Sequence, residues 1–180
     1  MGGRAREIFW MVLVMVVVFV GVQMSVQSFR VDGGSMEPSF DDGQYLIVDK
    51  LTYRFHSPSR GDVVVFHNPQ YYDELYIKRV IGLPGERVDI RQGRVYINGA
   101  ELQEVPQWAS IPNSEGYSTT VPEGEYFVLG DNRSNSIGSH TFGTVPEDYI
   151  VGRVWISYWP PSDWGLSPSY SAEMAQVTSA

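Results

Sequence analysis

The sequence predicts a mainly β domain of antiparallel sheets behind one N-terminal transmembrane helix. Residues 8–22 are an unbroken run of apolar or small side chains, as expected of a helix that crosses a membrane. Beyond them, short runs rich in Val, Ile, Tyr and Phe recur between turn signals such as Asp42-Gly43 and Asn98-Gly99, and few segments have helical periodicity. The 180 residues suit one such domain with accessories better than two full domains.

The apolar run is the first element. With two later polar interruptions it provides about 20 residues, enough for a helix in which every backbone group is bonded within the span. A cleavable signal peptide has the same basic start and apolar centre, but its core is usually shorter and an Ala-x-Ala-like site, missing here, would follow. We therefore predict a retained anchor over residues 8–27. Arg4 and Arg6 place residues 1–7 in the cytoplasm by the positive-inside rule.

After the anchor, apolar runs predict the strands of an extracytoplasmic domain over residues 28–166. These runs are residues 45–48, 63–66, 76–81, 95–97, 126–129 and 151–156. The polar, proline-containing stretch 101–121 lacks alternation, so we expect a long loop or a small appendage at about 87–122. Residues 167–180 are rich in Ser and Ala, which predicts a flexible tail.

Charge and cysteine content exclude several classes of function. The formal net charge is −8 and the chain has two lysines, so it lacks the clustered cations that a nucleic-acid binder uses to neutralise phosphates. With no cysteine, structural disulfides, thiolate metal sites and thiol nucleophiles are impossible. An oxidising compartment remains open, because nothing in the chain needs oxidation.

Ser35 is the first residue with a chemical signal, because it follows Gly33 and Gly34. Glycines let backbone N–H groups approach a ligand closely, and the oxyanion of an acyl transfer needs such donors. The segment is not a G-x-S-x-G nucleophile elbow, since Glu37 stands where the last glycine would be. Taken alone, the segment is equally consistent with a plain turn.

Lys78 is the second residue with a chemical signal. If residues 76–81 form a strand, period two places Tyr76, Lys78 and Val80 on one face, so the lysine shares its face with bulky groups. Burial would lower its pKa from about 10.4 toward 7, at a cost of roughly 4–5 kcal/mol, and a neutral lysine is a general base. The alternative is a lysine on an edge strand with its ammonium in water.

The three histidines, His56, His67 and His140, lack a short metal-ligand spacing and lie in polar, loop-like contexts. We interpret them as surface residues. Residues 130–136, Gly-Asp-Asn-Arg-Ser-Asn-Ser, directly follow an apolar strand. They fit either an Asx-turn network or a cluster that orients a catalytic group.

Four segments together resemble the successive sequence boxes of bacterial type I signal peptidases. They are residues 34–38 (GSMEP), 60–66 (RGDVVVF), 76–85 (YIKRVIGLPG) and 130–133 (GDNR). Their order and spacing match, and the resemblance runs from the anchor to about Trp164. It implies a membrane-bound serine endopeptidase with a Ser/Lys dyad, of largely antiparallel β fold, on the outer face of the cytoplasmic membrane. Such an enzyme removes signal peptides from exported preproteins after small residues at −3 and −1.

The resemblance also implies partners and roles. The expected partners are signal peptides of exported preproteins, the lipid bilayer and the translocation machinery; no metal or organic cofactor is required. Ser35 matches the nucleophile and an oxyanion N–H, Lys78 the general base, and Ser136 the serine that orients the lysine amine. Gly33 falls where some members supply a hydroxyl to the oxyanion. The residues matched to site support are Asp131, Asn132, Arg133 and Arg79, and those matched to substrate pockets are Met36, Phe40, Tyr76 and Ile77.

The chain departs from the family pattern after Ser136. Gly138 and His140 stand where the family usually has an aspartate and an arginine, which is consistent with the loss of one ion pair. Two alternatives therefore stay open: a membrane-anchored β module that binds peptides without cutting them, and a Ser-His hydrolase that uses His67 or His140.

Near the end of the predicted domain, Tyr158, Trp159 and Trp164 fit either a membrane-interface contact or buried aromatic packing. The thirteen residues from Val22 to Ser35 span at most about 45 Å when fully extended. The nucleophile candidate is therefore expected to stay near the membrane.

Overall fold

The computed structural model describes residues 3–103, 110–112, 116–168, 170 and 174. A long N-terminal helix, α1 (Gly3–Ser25), leads directly into the first strand, and a short helix, α2 (Ser139–Phe142), lies late in the chain. The strands of the described residues are β1 (Val26–Arg30), β2 (Tyr45–Asp49), β3 (Val63–His67), β4 (Leu75–Gly82), β5 (Arg87–Arg91), β6 (Arg94–Ile97), β7 (Ala100–Glu101), β8 (Tyr117–Thr120), β9 (Glu125–Leu129), β10 (Val145–Pro146), β11 (Ile150–Trp159) and β12 (Gly165–Leu166).

Within the described part of the chain, no residue of helix α1 is buried. The helix has 23 residues, and its most apolar 18-residue stretch has a mean hydropathy of 2.4. At 1.5 Å per residue it is about 34 Å long, compared with about 30 Å for a hydrocarbon core. Its length and composition are those of a membrane-crossing helix, features that N-terminal signal sequences share. The helix ends two residues before the predicted anchor limit, because Val26 and Gln27 pair with β2.

The strands form two antiparallel sheets, so the predicted fold class is confirmed. The large sheet has the order β1-β2-β11-β3-β4-β9-β10, with β12 paired to β11, and the small sheet has the order β7-β6-β5-β8. Every predicted apolar run lies in a strand. The sequence missed β1, β5 and β8, whose polar or charged residues interrupt the apolar pattern, and the two-residue strands β7, β10 and β12.

The small sheet occupies the stretch expected to be a loop or appendage. Of the tail predicted to be flexible, residues 167–180, the structure describes residues 167, 168, 170 and 174. Met174 is fully buried against the small sheet's core. The remainder of that prediction lies outside the described residues, as do residues 104–109 and 113–115.

Two apolar clusters position the site. One contains Ile81, Ile90 and Phe127, and joins the small sheet to the large one. The other contains Met36 and Phe40 from the connection between β1 and β2, packed on the large sheet. Burying a side chain of this size stabilises a fold by about 1.5–3 kcal/mol. These contacts therefore hold the connection that carries Ser35 against the strand that carries Lys78.

Candidate active site

The Ser35 loop comprises residues 31–44 and joins β1 to β2. Its ends are tied by backbone bonds from the Val31 N–H to the Gln44 carbonyl at 2.8 Å and from the Gly43 N–H to the Val31 carbonyl at 2.9 Å. Gly33 has a φ of +82°, which glycine adopts without strain, and its N–H donates to Asp42 Oδ1 at 2.8 Å. The glycine that matches a family oxyanion position thus serves here to shape the loop.

Lys78 lies in the middle of β4, which is paired on both sides, by β3 and by β9. Its side chain is buried, with 5% of the residue exposed. Its Nζ atom is 2.8 Å from Ser35 Oγ and donates to the Ile77 carbonyl at 2.9 Å. The alternative of an edge-strand lysine in water is therefore wrong. Sequence pattern could not decide this point, since it does not tell which strands flank β4.

Burial also changes the acid–base character of Lys78. Desolvation of the ammonium lowers the pKa of Lys78 to about 8, against the opposing effect of the Asp131 carboxylate. The Tyr76 ring centroid lies 5.6 Å from Nζ. The amine thus loses its proton much more easily than a lysine in water, which is the property that a general base requires.

Strand register fixes the lateral distance between the helix end and this lysine. Val26 pairs with Asp49, Asp49 with Arg153, Arg153 with Val64, and Val64 with Lys78. Neighbouring strands lie about 4.8 Å apart, so these four steps correspond to about 19 Å. The backbone of Lys78 is thus in the same row of the sheet as the first residue after α1.

Arg79 and Asp131 form a buried ion pair beside the lysine. Arg79 Nε donates to Asp131 Oδ1 at 2.8 Å and Nη2 donates to Oδ2 at 2.5 Å, and both side chains are at most 1% exposed. Arg79 Nη1 also donates to the Gly61 carbonyl at 2.7 Å and to the Pro168 carbonyl at 2.9 Å. The guanidinium therefore joins four parts of the chain and compensates the buried carboxylate.

The segment after β9 packs against the Ser35 backbone. A side chain at Gly130 would meet both Ser35 O and Ser136 Oγ, so only glycine permits this approach. Arg133, also buried, donates from Nε to the Gly130 carbonyl at 3.0 Å and holds the turn. Sequence reasoning placed Gly130 in a family box but gave it no role, although a glycine at the end of a strand is a known signal of close backbone approach.

Ser136 does not make the contact expected of it. Its hydroxyl donates to the Ile137 carbonyl at 3.4 Å. Within the described part of the chain, the hydrogen-bond acceptors of Lys78 Nζ are Ser35 Oγ and Ile77 O. Ser136 nevertheless lines the same cavity as Lys78, so its orienting role stays a prediction.

A cavity of about 500 Å³ opens above Ser35 and Lys78. Of the four residues predicted to form substrate pockets, Tyr76 and Ile77 line it. Met36 and Phe40 are not among its described lining residues, because both are buried in the core beneath the loop. The lining residues that sequence reasoning did not select are Phe29, Asp32, Asp73, Leu75, Asn135 and Ile137.

The histidines lie apart from Ser35. In the described residues, none lines the cavity or hydrogen-bonds to the serine. His67 stacks on Tyr72, and its Nδ1 lies 2.7 Å from the Tyr72 carbonyl. His140 is half-buried, and desolvation, together with the Arg133 guanidinium, lowers the pKa of its imidazole.

The departures from the family pattern have a local explanation. A Cβ atom at Gly138 would lie 2.9 Å from the Val128 carbonyl, so this backbone has no room for an aspartate. Ser139 Oγ accepts from the Val128 N–H at 2.8 Å and ties the segment to β9. This hydrogen bond holds the segment between Gly138 and His140, the two positions where the family usually has charged side chains.

A serine hydroxyl in contact with a buried lysine amine, beside a cavity in a β domain, is an arrangement suited to acyl transfer. Residues 4–159 match the family model described as "Signal peptidase, peptidase S26". The chain therefore belongs to the signal peptidase family and is an enzyme of the signal peptidase I class.

Proteins similar to the chain are named as signal peptidases I. Signal peptidase I of Leptolyngbya laminosa is 41% identical over 167 residues, which are 86% of this chain and 81% of that protein. Signal peptidase IB of Staphylococcus aureus is 34% identical over 166 residues, which are 83% of this chain and 86% of that protein. A crystal structure of a signal peptidase I from Enterococcus faecalis is 35% identical and covers 54% of this chain and 97% of that chain, with a TM-score of 0.47.

Proposed function

We propose that this protein is a membrane-anchored serine endopeptidase that removes N-terminal signal peptides from exported preproteins. It cleaves after small residues at −3 and −1, with Ser35 as the nucleophile and Lys78 as the general base. The observation that most supports the dyad is the 2.8 Å contact between Ser35 Oγ and Lys78 Nζ, made by a lysine that is 5% exposed.

The chemistry follows from that contact. Neutral Lys78 accepts the proton of the Ser35 hydroxyl as Oγ attacks the scissile carbonyl, and the carbonyl electron pair moves to its oxygen. The Ser35 N–H stabilises this oxyanion. Collapse breaks the peptide bond, and the leaving amine takes the proton from Lys78. Lys78 then deprotonates a water molecule, which hydrolyses the acyl-enzyme and regenerates Ser35.

Burial makes this cycle accessible near neutral pH. A decrease of the Lys78 pKa from 10.5 to about 8 corresponds to about 3 kcal/mol, at about 1.36 kcal/mol per pKa unit. At pH 7 about a tenth of the molecules then hold the neutral amine, compared with fewer than about one in a thousand at the ordinary pKa.

An extended substrate fits the cavity beside the dyad. Tyr76 and Ile77 form part of its wall, and Phe29 contributes from β1, an edge strand of the large sheet. A peptide held beside sheet strands gains affinity from main-chain hydrogen bonds, while shallow pockets select alternate side chains. This mode of recognition tolerates varied sequences but restricts the side chains at −3 and −1.

The proposed topology places α1 in the cytoplasmic membrane, with residues 1–7 in the cytoplasm and residues 28–166 outside. Arg4 and Arg6 precede the apolar stretch, which supports this orientation. Signal peptides leave the translocation machinery while still in the bilayer, so we propose the bilayer and that machinery as partners. The separation of about 19 Å between the Val26 and Lys78 backbones keeps the dyad close to the membrane.

Substitution tests the dyad against its alternatives. The purified full chain in detergent is incubated with a preprotein, and the cut is mapped by mass spectrometry. Ser35→Ala and Lys78→Ala should each abolish detectable cleavage, while His67→Ala and His140→Ala should remain active. Loss of cleavage in a histidine variant would instead indicate a Ser-His hydrolase, and an inactive parent protein would indicate a peptide-binding module.

A further inference from the structure

Asn132 binds both carbonyl groups that flank Ser35. Its backbone N–H donates to Ser35 O at 3.1 Å, and its Nδ2 donates to Gly34 O at 2.9 Å and to Glu37 Oε2 at 3.3 Å. Its Oδ1 accepts from Ser134 Oγ at 3.2 Å. Because the amide oxygen has its own donor, the network defines which end of the amide faces Gly34.

The Gly34 carbonyl and the Ser35 N–H belong to one peptide group. This group is planar and trans, so its C=O and N–H point in opposite directions, and a bond that fixes one also fixes the other. The carbonyl's other donor, the Glu37 N–H, is farther away at 3.4 Å. Hydrogen bonds in a chain also polarise one another, so a carbonyl that accepts from Asn132 leaves a stronger N–H donor.

The Ser35 N–H itself is available. No residue in the described part of the chain accepts a hydrogen bond from it. We propose that Asn132 is a positioning residue that directs the Ser35 N–H toward the oxyanion formed during acyl transfer. This inference rests on the proposed function, because the oxyanion forms only if Ser35 attacks a carbonyl.

The test replaces the donor with an acceptor of the same shape. Asn132→Asp places an anionic oxygen against the Gly34 carbonyl and the Glu37 carboxylate. We expect kcat to fall about 10- to 100-fold and KM to change by less than about threefold. Losing an oxyanion donor outright lowers kcat by about 10²- to 10³-fold, so the expected loss is smaller. In the uncharged variant Asn132→Ala, the acid limb of the pH profile should stay where Lys78 sets it. Asn132→Ala, which adds no charge, should show the same split between kcat and KM.

Asn98→Asp is the matched control. Asn98 Oδ1 accepts from the Arg87 N–H at 2.9 Å in the small sheet, a bond that an aspartate retains, so activity should equal that of the parent. A kcat within about twofold of the parent in both Asn132 variants overturns the inference. In Asn132→Ala, which adds no charge near the amine, a displaced acid limb also overturns it, since the residue would then act through Lys78. Activity that survives Ser35→Ala would instead overturn the proposed function itself.

A separate observation concerns the chain beside the end of α1. The carbonyl of Ser25, the last residue of the helix, accepts from the Lys50 N–H at 2.8 Å, and Val26 pairs with Asp49. Residues 50–56, named here the juxtamembrane segment, therefore begin next to the helix end at any tilt of the sheet. If α1 spans the bilayer, this segment lies at the membrane surface.

The juxtamembrane segment is cationic and apolar on its exposed side. Phe55 is 79% exposed, and Arg54 is exposed. The segment contains no acidic residue, in a chain of net charge −8. The adjoining Asp49 is half-buried, and its carboxylate accepts from the Leu51 and Thr52 N–H groups at 2.8 and 3.2 Å. Glu147 is the acidic residue that shares a surface cavity with Lys50 and Arg54.

We infer that the juxtamembrane segment binds anionic phospholipid. Lys50 and Arg54 contact the headgroups and Phe55 enters the boundary between headgroups and acyl chains, because cationic and aromatic side chains together favour that layer. This inference rests on the membrane topology proposed above. It concerns lipid contact and is independent of the catalytic dyad.

The absence of cysteine from the sequence permits a direct test. The full chain carrying Phe55→Cys is labelled with a fluorophore and placed in nanodiscs with brominated acyl chains. One set of nanodiscs contains phosphatidylcholine alone. The other set contains phosphatidylcholine and phosphatidylglycerol in equal parts. Quenching at position 55 should be at least about twofold greater with phosphatidylglycerol, and Lys50→Gln/Arg54→Gln should remove that difference. Glu123→Cys, in the turn before β9 and distant from Val26 along the large sheet, is the matched control.

Equal quenching at positions 55 and 123 overturns the inference. Quenching at position 55 that is the same with both lipids also overturns it, because it would exclude recognition of anionic headgroups. A full chain that fails to copurify with nanodiscs would refute the anchor, which is a different result from either of these.

Discussion

The lowered pKa of Lys78 should appear in stability as well as in activity. Below pH 8 the amine is charged in both the folded and the unfolded chain, and burying that charge costs about 3 kcal/mol, which is 2.5 pKa units at about 1.36 kcal/mol each. Between pH 8 and 10.5 the unfolded chain binds more protons, so parent stability rises with pH. Above 10.5 the amine is neutral in both states and the cost is gone.

Lys78→Met removes the titrating group and keeps a long apolar side chain. At pH 6 the variant should be about 3 kcal/mol more stable than the parent, and this advantage should shrink across pH 8 to 10.5. Urea unfolding of the full chain in detergent, at several pH values, measures the difference. Other groups titrate in both proteins and cancel. Lys78→Leu should give the same pH dependence, although its packing contribution differs.

The same pKa should govern catalysis. The acid limb of kcat/KM for a signal-peptide substrate should have an apparent pKa of about 8, since this parameter reports on the free enzyme. If the apparent pKa of the acid limb equals the pH at which stability begins to rise, both effects are assigned to the Lys78 amine. A stability difference that does not vary with pH, or an acid limb near 10.5, would refute a buried, easily deprotonated lysine.

Three further predictions concern the frame around the site. Arg79→Met leaves a buried carboxylate without its cation and should cost about 3–5 kcal/mol in urea unfolding; a loss below about 1 kcal/mol would contradict this. Gly152→Ala brings a methyl group against the Asp49 carbonyl of the neighbouring strand and should cost at least about 1–3 kcal/mol, whereas Gly165→Ala, with open space around it, should cost less in the same assay. Trp159→Ala should lower liposome binding of a protein lacking α1, and unchanged partitioning would refute an interfacial role.

The structure places the aromatic residues of that last prediction on the exterior. Tyr158, Trp159 and Trp164 are 37%, 54% and 73% exposed, so buried packing does not account for them. Trp159 pairs with Tyr45, at the end of β2 opposite Asp49 and the end of α1. Whether this end also contacts lipid depends on the tilt of the sheet, which the partitioning experiment tests.

The sequence by itself determined the features that depend on local pattern. A continuous apolar run is enough to define α1, because a helix satisfies its own backbone hydrogen bonds without partners. Apolar runs between turns were enough to locate β3, β4 and β9, because β-branched and aromatic side chains bounded by turn residues favour strands. The resemblance of four successive segments to the boxes of type I signal peptidases identified Ser35 and Lys78 as candidates, but it did not establish that they touch.

Only the tertiary structure decided which of these residues meet and what surrounds them. Ser35 and Lys78 are 43 residues apart in sequence, and Asn132 is 98 residues from the Gly34 carbonyl that it binds. Met36 and Phe40, expected in substrate pockets, are instead buried in the core. Contact and burial depend on which strands become neighbours in the sheet, and the pKa of the lysine follows from that burial, so no local pattern contains either.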